Sequence, residues 1–211
     1  MPYDLPASRG VPAKGENVRA FLGGFVAAII VVVLLGIGAV ETGAIPARAD
    51  GGPLPGERWM ARTSLNAAIE REAPKPPFPA YATNADLTDG ARLYVQNCAV
   101  CHGTAHTTAT AIARGLGVRP PQFAKHDVND DPESETYWKI AHGIRFTGMP
   151  AFEHTMSERD MWQMAFFLKH LPDQLPPSAA AIWNNPATVG APTPIPDPSG
   201  MPSADHMGMD D

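Results

Sequence analysis

The only two cysteines of this chain fall in one pentad, Cys98-Ala99-Val100-Cys101-His102, and the residue after the second is a histidine. C-x-x-C-H is the attachment pattern of a c-type haem. The two thiols add across the haem vinyl groups as thioethers, and the adjacent imidazole becomes the proximal iron ligand. The spacing is chemical: two intervening residues fit one turn of backbone between the two vinyl-bearing edges. Other uses of a C-x-x-C pair fit poorly. A structural zinc site needs four ligands, and the chain has no second cysteine pair. A thioredoxin-like pair ends a strand in a βαβ setting, and none is visible. The pentad therefore predicts haem c, one group, held by Cys98, Cys101 and His102.

From Ala20 to Val40 the chain reads AFLGGFVAAIIVVVLLGIGAV without a charge, bounded by Arg19 and Glu41. At ~1.5 Å per residue such a helix spans about 30 Å, the thickness of a bilayer hydrocarbon core. Arg9, Lys14 and Arg19 precede it. The positive-inside rule then places residues 1–19 in the cytoplasm, 20–40 as a single transmembrane anchor, and the rest outside. A cleaved signal peptide is the alternative, because Ala47-Arg48-Ala49 is an A-x-A-like site. Signal cores run to about 15 residues, however, and this apolar run is longer. Both readings deliver the cysteines to the periplasmic, oxidising side of a bacterial cytoplasmic membrane, where haem attachment belongs. The net charge of −6 argues against nucleic-acid binding.

The 23 prolines are too many for one compact domain and imply linkers and tails. Residues 41–85 read as a linker with a short helix over 57–72. Within it APKPPFPA (73–80) is a semi-rigid polyproline spacer. Residues 86–172 read as the compact domain. Thr88 is a good N-cap, with Leu87 before it as a staple, for a helix over 89–98 that runs into the pentad. Asp131-Pro132 starts another, ending near His142. Ser157-Glu158-Arg159-Asp160 is an acidic capping box. After it Met161, Met164, Ala165, Leu168 and Leu171 recur at helical spacing until Pro172. With no alternating strands, the fold class is all-α. Residues 173–211 are Pro/Ala/Ser-rich and read as a disordered tail. Its end, Met201 to Met209 with His206, has ligand types that suit Cu(I), but an unstructured tail of biased composition is the better account of them. A fragment from about Ala80 to Pro172 is expected to fold around haem alone.

The iron needs a sixth ligand or an open position. Met149 stands out in GIRFTGMPAF (143–152), a loop between two expected helices, with Gly148 before it and Pro150 after it. Glycine permits close backbone approach and proline fixes the chain beyond the ligand. Met161 and Met164 sit in the helical stripe as core fillers, and Met156 has the same plain reading. His106, His126, His142, His154 and His170 are scattered singly. His142 and His154 flank the methionine loop and are the alternative ligands.

Residues 86–171 resemble a class I cytochrome c domain of the bacterial type also found in cytochrome subunits of cbb3-type oxidases. The resemblance rests on GARLYVQNCAVCHG (90–103), the Arg119-Pro120-Pro121 turn, YWKIAHGIRFTGMPAF (137–152) and SERDMWQMAFFLKHL (157–171). It implies three to five helices around one haem, with the first and last crossing near Gly90 and Tyr94 against Phe166 or Phe167. It also implies His102 and Met149 as axial ligands, and a backbone carbonyl near Pro120 accepting a hydrogen bond from the His102 ring. The stretch between His106 and Gly117 has no place in the resemblance.

A His/Met-ligated haem leaves no open coordination position and cycles between two iron states with little rearrangement. That predicts an electron carrier, not an enzyme, with no small-molecule substrate. Its partners are the membrane and redox proteins of the respiratory chain. The alternatives are a fixed electron-entry or electron-exit subunit of a membrane oxidoreductase, and a haem sensor or peroxidase with an exchangeable sixth ligand. The acids Asp127, Asp130, Asp131, Glu133 and Glu135 favour the start of the expected third helix. They would steer a basic partner if they lay near the haem.

Overall fold

The computed structural model describes residues 14–79, 82–107, 110–125, 128–172 and 174–190. The chain divides into two units, Met1–Arg48 and Ala49–Asp211. The first holds helix α1, Lys14–Glu41. Its segment Val18–Glu41 has a mean hydropathy of 2.9 and buries nothing within the protein, so it is long and apolar enough to cross a membrane. Apolar side chains such as Phe21 and Leu35 stand fully outward along it, which is stable only where lipid or another apolar surface covers them. The expected span over 20–40 lies inside this helix. The residues expected to lead into it from the cytoplasm fall partly outside the described ones.

The second unit is all helical among the described residues. Its elements are α2 (Glu57–Glu72), α3 (Asn84–Asn97), α4 (Ala99–His102), α5 (Ala111–Gly115), α6 (Glu133–His142), α7 (Glu158–Lys169) and α8 (Pro177–Asn184), followed by a 3-10 turn over Pro186–Val189. Helices α3 and α7 make the central crossing. Gly90 lies on Gln163 and Phe167 of α7, where a Cβ would meet the Gln163 carbonyl and come within 2.9 Å of the Phe167 Cβ. One turn on, the Tyr94 ring packs on Phe167 at 5.5 Å. Tyr94, Val95, Trp162, Met164 and Phe167 are the largest fully buried side chains. Met161 and Met164 fill this core, in keeping with the helical stripe.

Two capping boxes fix the ends of the crossing helices. The one on α7 is the expected Ser157/Asp160 pair. The one on α3 is Thr83/Asp86, five residues upstream of the cap read from the sequence. Thr88 lies inside the helix, where its hydroxyl bonds back to the Asn84 carbonyl at 2.7 Å. Both Thr83 and Thr88 are competent caps. Thr83 wins because it has an acid three residues on, at Asp86, whose carboxylate returns to the Thr83 N–H.

Asp86 also ties α3 to α7. One carboxylate oxygen accepts from Arg159 at 2.8 Å and from the buried Gln163 amide at 2.8 Å. The Thr83 hydroxyl, the Gln163 amide and Arg159 hold the carboxyl down to about 2, against a burial effect that raises it. With the folded-state value depressed from 3.8, the carboxylate contributes stability that is complete above pH 4 and lost as pH falls through about 2. The contribution is roughly 2 kcal/mol. In thermal melts between pH 7 and pH 2, Asp86→Asn should be less stable than the native chain at pH 7 by about 2 kcal/mol. The gap should close toward pH 2. A constant gap across that range would show that Asp86 acts only as a spacer.

Three expectations change here. Helix α2 has the predicted bounds but is not a free tether. Its Ile69, with Ala73, is buried against Trp138 of α6, while Trp59 at its start stays exposed. The proline-rich segment is likewise seated, because the Phe78 ring packs at a tilt against Trp162 with centres 5.5 Å apart. The disorder expected from residue 173 does not hold for 177–189. Ala179, Ile182 and Trp183 of α8 are buried, and Trp183 meets Tyr94 edge-on at 5.7 Å. The Met/His-containing end, 191–211, lies outside the described residues. The packing around the 86–172 segment thus also takes in Ile69 and Ala73, Phe78 and α8.

Candidate haem site

The pentad sits where α3 stops. Cys98 ends α3 and caps α4, so Cys98, Cys101 and His102 occupy consecutive turns at one corner. The Cys101 and His102 N–H groups both donate to the Cys98 carbonyl, at 3.0 and 2.9 Å. Gly103 then turns the chain with φ +76, a conformation that favours glycine. Its carbonyl accepts the buried Tyr94 hydroxyl at 2.7 Å. This couples the corner to the α3–α7 core.

The His102 ring nitrogen Nδ1 lies 2.9 Å from the Pro121 carbonyl oxygen. A carbonyl only accepts, so Nδ1 carries the proton and Nε2 is left with its lone pair. That is the tautomer an iron ligand requires, held in a fixed orientation. Burial lowers the His102 pKa and so favours the neutral ring, against the opposing effect of this hydrogen bond. Phe123 lies flat on the imidazole, with ring centres 4.5 Å apart and planes 8° from parallel. Burial pushes the Cys98 thiol up to about 12, with Cys101 adding to the shift. The two cysteines are not joined in a disulfide.

The turn that supplies the Pro121 carbonyl is itself pinned. The buried Gln122 side chain donates to the Cys101 carbonyl at 2.9 Å and to the Pro120 carbonyl at 3.1 Å. Sequence reasoning missed Gln122, because a lone glutamine after two prolines carries no signal of its partners. The stretch that could not be placed from sequence also belongs here. Thr110 caps α5 and donates its hydroxyl to Val100 at 2.5 Å. Leu116 then packs on Gly148, where a Cβ would come within 2.6 Å of Leu116 Cδ2.

Met149 is half-buried and packs against the same core as Cys98, Ala99 and Phe123. Its loop is closed by hydrogen bonds from Ile144 N–H to the Met149 carbonyl at 3.2 Å and from Met149 N–H to Thr147 Oγ1 at 3.1 Å. Gly143, at φ +63, lies directly on the Met149 and Pro150 backbone. The alternative histidines are engaged elsewhere. His142 lies 3.3 Å and His154 3.5 Å from the two oxygens of Glu153, and His154 is exposed. His170 bonds to the Phe166 carbonyl at 2.7 Å, His106 is exposed, and His126 lies outside the described residues. No group of three or more His, Cys, Asp or Glu side chains among the described residues could hold a metal ion by itself.

Two thiols and an oriented neutral imidazole within five residues, with a thioether loop on the same core, are side chains of the types that could hold a haem c. Residues 85–168 match the family described as cytochrome c oxidase, cbb3-type, subunit III. This segment is a cbb3-type class I cytochrome c domain. A cytochrome c domain transfers electrons and carries haem c. One solved structure, a chain of the Kuenenia stuttgartiensis reducing HAO-like protein complex, is 20% identical over 48% of this chain, with a TM-score of 0.36. The match covers 52% of that chain, so the cytochrome spans about half of its length. No match was found among curated proteins.

Proposed function

We propose that the protein is a membrane-anchored monohaem cytochrome c that passes single electrons between respiratory-chain components on the periplasmic side. Cys98 and Cys101 hold one haem covalently, and His102 and Met149 are its axial ligands. The observation that carries this reading is the His102 Nδ1 contact with Pro121, which presents the other ring nitrogen as a ligand. Met149 completes the pair because its loop is closed on the same core, whereas His142 and His154 are turned to Glu153. When bound, the haem stores one electron, and a thioether ligand raises its potential by favouring ferrous iron. The chain's own residues fix the imidazole and close the ligand loop. With both axial positions filled, the protein is a carrier and not itself an enzyme. Helix α1 holds it at the membrane with the cytochrome domain outside.

Met149→Ala tests the assignment. The variant should keep covalent haem, lose the methionine-to-iron absorption at the red edge of the ferric spectrum, and fall in reduction potential. In the ferrous state it should bind carbon monoxide readily. An unchanged spectrum and potential would remove Met149 as ligand.

A second reading is favoured by the matched family's description, which names an oxidase subunit. Here the same domain is a fixed entry or exit port of a larger complex. Purification in mild detergent separates the two readings: stoichiometric large subunits support the port, and an isolated cytochrome supports the carrier.

A further inference from the structure

Helix α2 is only half used by the fold. Its contacts with the domain begin at Leu65, where Leu65, Ala68 and Ile69 pack toward Trp138. Every residue from Glu57 to Ser64 is exposed. Two turns of helix without tertiary contact are marginal in water. They also carry side chains that water does not favour: Trp59 is 72% and Met60 63% exposed. Met60 precedes Ile69 by about two and a half turns, so it stands on the side opposite the packed one. Trp59, Met60, Thr63 and Ala67 share that outer side, which stays uncharged until Glu70. Leu54, 47% exposed, is tied to the start of the helix. Its N–H donates to the Glu57 carboxylate at 2.7 Å, and its carbonyl accepts the Glu57 N–H at 3.1 Å.

Chain length and charge point to what covers this strip. Ala49 is seated on the cytochrome domain, where a Cβ on Gly117 would come within 2.9 Å of the Ala49 carbonyl oxygen. Only residues 42–48 separate Ala49 from Glu41, the last residue of α1, and that length of chain reaches at most about 28 Å. Arg58 and Arg62 lie one turn apart beside the apolar strip, on a chain whose net charge is −6. Tryptophan, with an apolar body and a polar N–H, and arginine, with a long apolar stem, suit the boundary between membrane and water. Basic side chains placed there are drawn to anionic headgroups.

We propose that the first two turns of α2, with Leu54, lie in the headgroup layer of the membrane that α1 enters. Trp59 and Met60 reach the acyl boundary, and Arg58 and Arg62 meet anionic phosphates. The proposal rests on the reading of α1 as a membrane span and adds a second, interfacial contact to it. A lipid surface fits better than a protein partner. The strip lies on the first helix after the span and outside residues 85–168, which match the cytochrome family.

The test reads lipid contact in the full-length, haem-bearing chain reconstituted in vesicles. The tryptophans are Trp59, Trp138, Trp162 and Trp183, and none lies in α1. The last three are buried, so Trp59 is the one a bilayer can touch. Brominated acyl chains quench tryptophan by contact. In vesicles of phosphatidylcholine with phosphatidylglycerol, bromination should lower the Trp59 emission severalfold, read as the difference from Trp59→Phe. Arg58→Gln with Arg62→Gln should remove most of the extra quenching that phosphatidylglycerol gives over phosphatidylcholine alone. In native membranes, replacing Trp59 by photoreactive benzoyl-phenylalanine should yield adducts of phospholipid mass. Flotation with the vesicles after alkaline carbonate reads α1 separately. A chain that floats, yet has equal Trp59 emission in brominated and plain vesicles, would overturn the proposal and leave the span intact. A chain that does not float would remove the span, and this proposal with it. Adducts confined to a protein would also overturn the proposal and assign the strip to a protein partner.

Discussion

Gly90→Val should leave almost no folded cytochrome. The variant should accumulate little covalent haem protein, and what is recovered should melt far below the native chain. The reason is local and steric. The α carbon of Gly90 rests on the Gln163 carbonyl of α7, and a Cβ there would overlap a backbone oxygen, not a flexible side-chain end. Backbone cannot step aside without moving the helix. Opening the α3–α7 crossing also separates Tyr94 from Phe167 and pulls on the Tyr94 hydroxyl that holds the Gly103 carbonyl. Overpacking a well-filled core typically costs 1–3 kcal/mol, and a β-branched residue against backbone lies at or beyond the top of that range. For a domain with roughly 5–15 kcal/mol in total, such a loss populates the unfolded state. Gly90→Ala is the graded control and should be damaged less. Haem content per polypeptide and thermal melts read both. A Gly90→Val protein with native haem content and melting temperature would mean that the helices do not approach this closely.

Much of this site is legible from sequence because each signal is local. The pentad, the Ser157–Asp160 box and the Gly148-Met149-Pro150 turn carry their chemistry within five residues, and each lies where it was placed. The crossing at Gly90 and the carbonyl facing His102 came through resemblance. The acceptor is Pro121, the second proline of the turn. What sequence did not disclose is mostly pairing at a distance. Gln122 reaches back to Cys101, and Asp86 reaches forward to Arg159 and Gln163. Neither partnership is a pattern along the chain. The tail was misread for a different reason. Averaged over 173–211, its composition is that of a disordered segment. Yet PSAAAIWN places Pro177 in the first turn and Ala179, Ile182 and Trp183 at helical spacing. Composition over the whole tail hid one short amphipathic helix.

That helix makes the second large effect an expected loss. A fragment ending at Pro172 should not reproduce the native domain, contrary to what the prolines suggest. Removing α8 uncovers Tyr94 and Phe167, whose rings lie 5.7 and 6.2 Å from Trp183. It also removes the Thr88–Ser178 hydroxyl contact at 2.7 Å, which seats α8 on α3. Starting the fragment at Ala80 further deletes the Phe78 contact with Trp162. Truncating a buried tryptophan costs about 3–5 kcal/mol, so Trp183→Ala in the full chain should lower the melting temperature by on the order of 10 °C. Trp183→Phe should recover a large part of that loss, because it keeps an edge for Tyr94. The fragment over 80–172 should fall further than Trp183→Ala, bind a hydrophobic dye and attach haem inefficiently. A fragment over 57–190, which retains α2, the Phe78 segment and α8, should melt with the native domain. The decisive comparison is between the two fragments. Equal melting temperatures and equal haem content would show that α8 and the proline-rich strap lie on the cytochrome without stabilising it. A large gap would show that this domain is completed by segments on both sides of the residues that match the family.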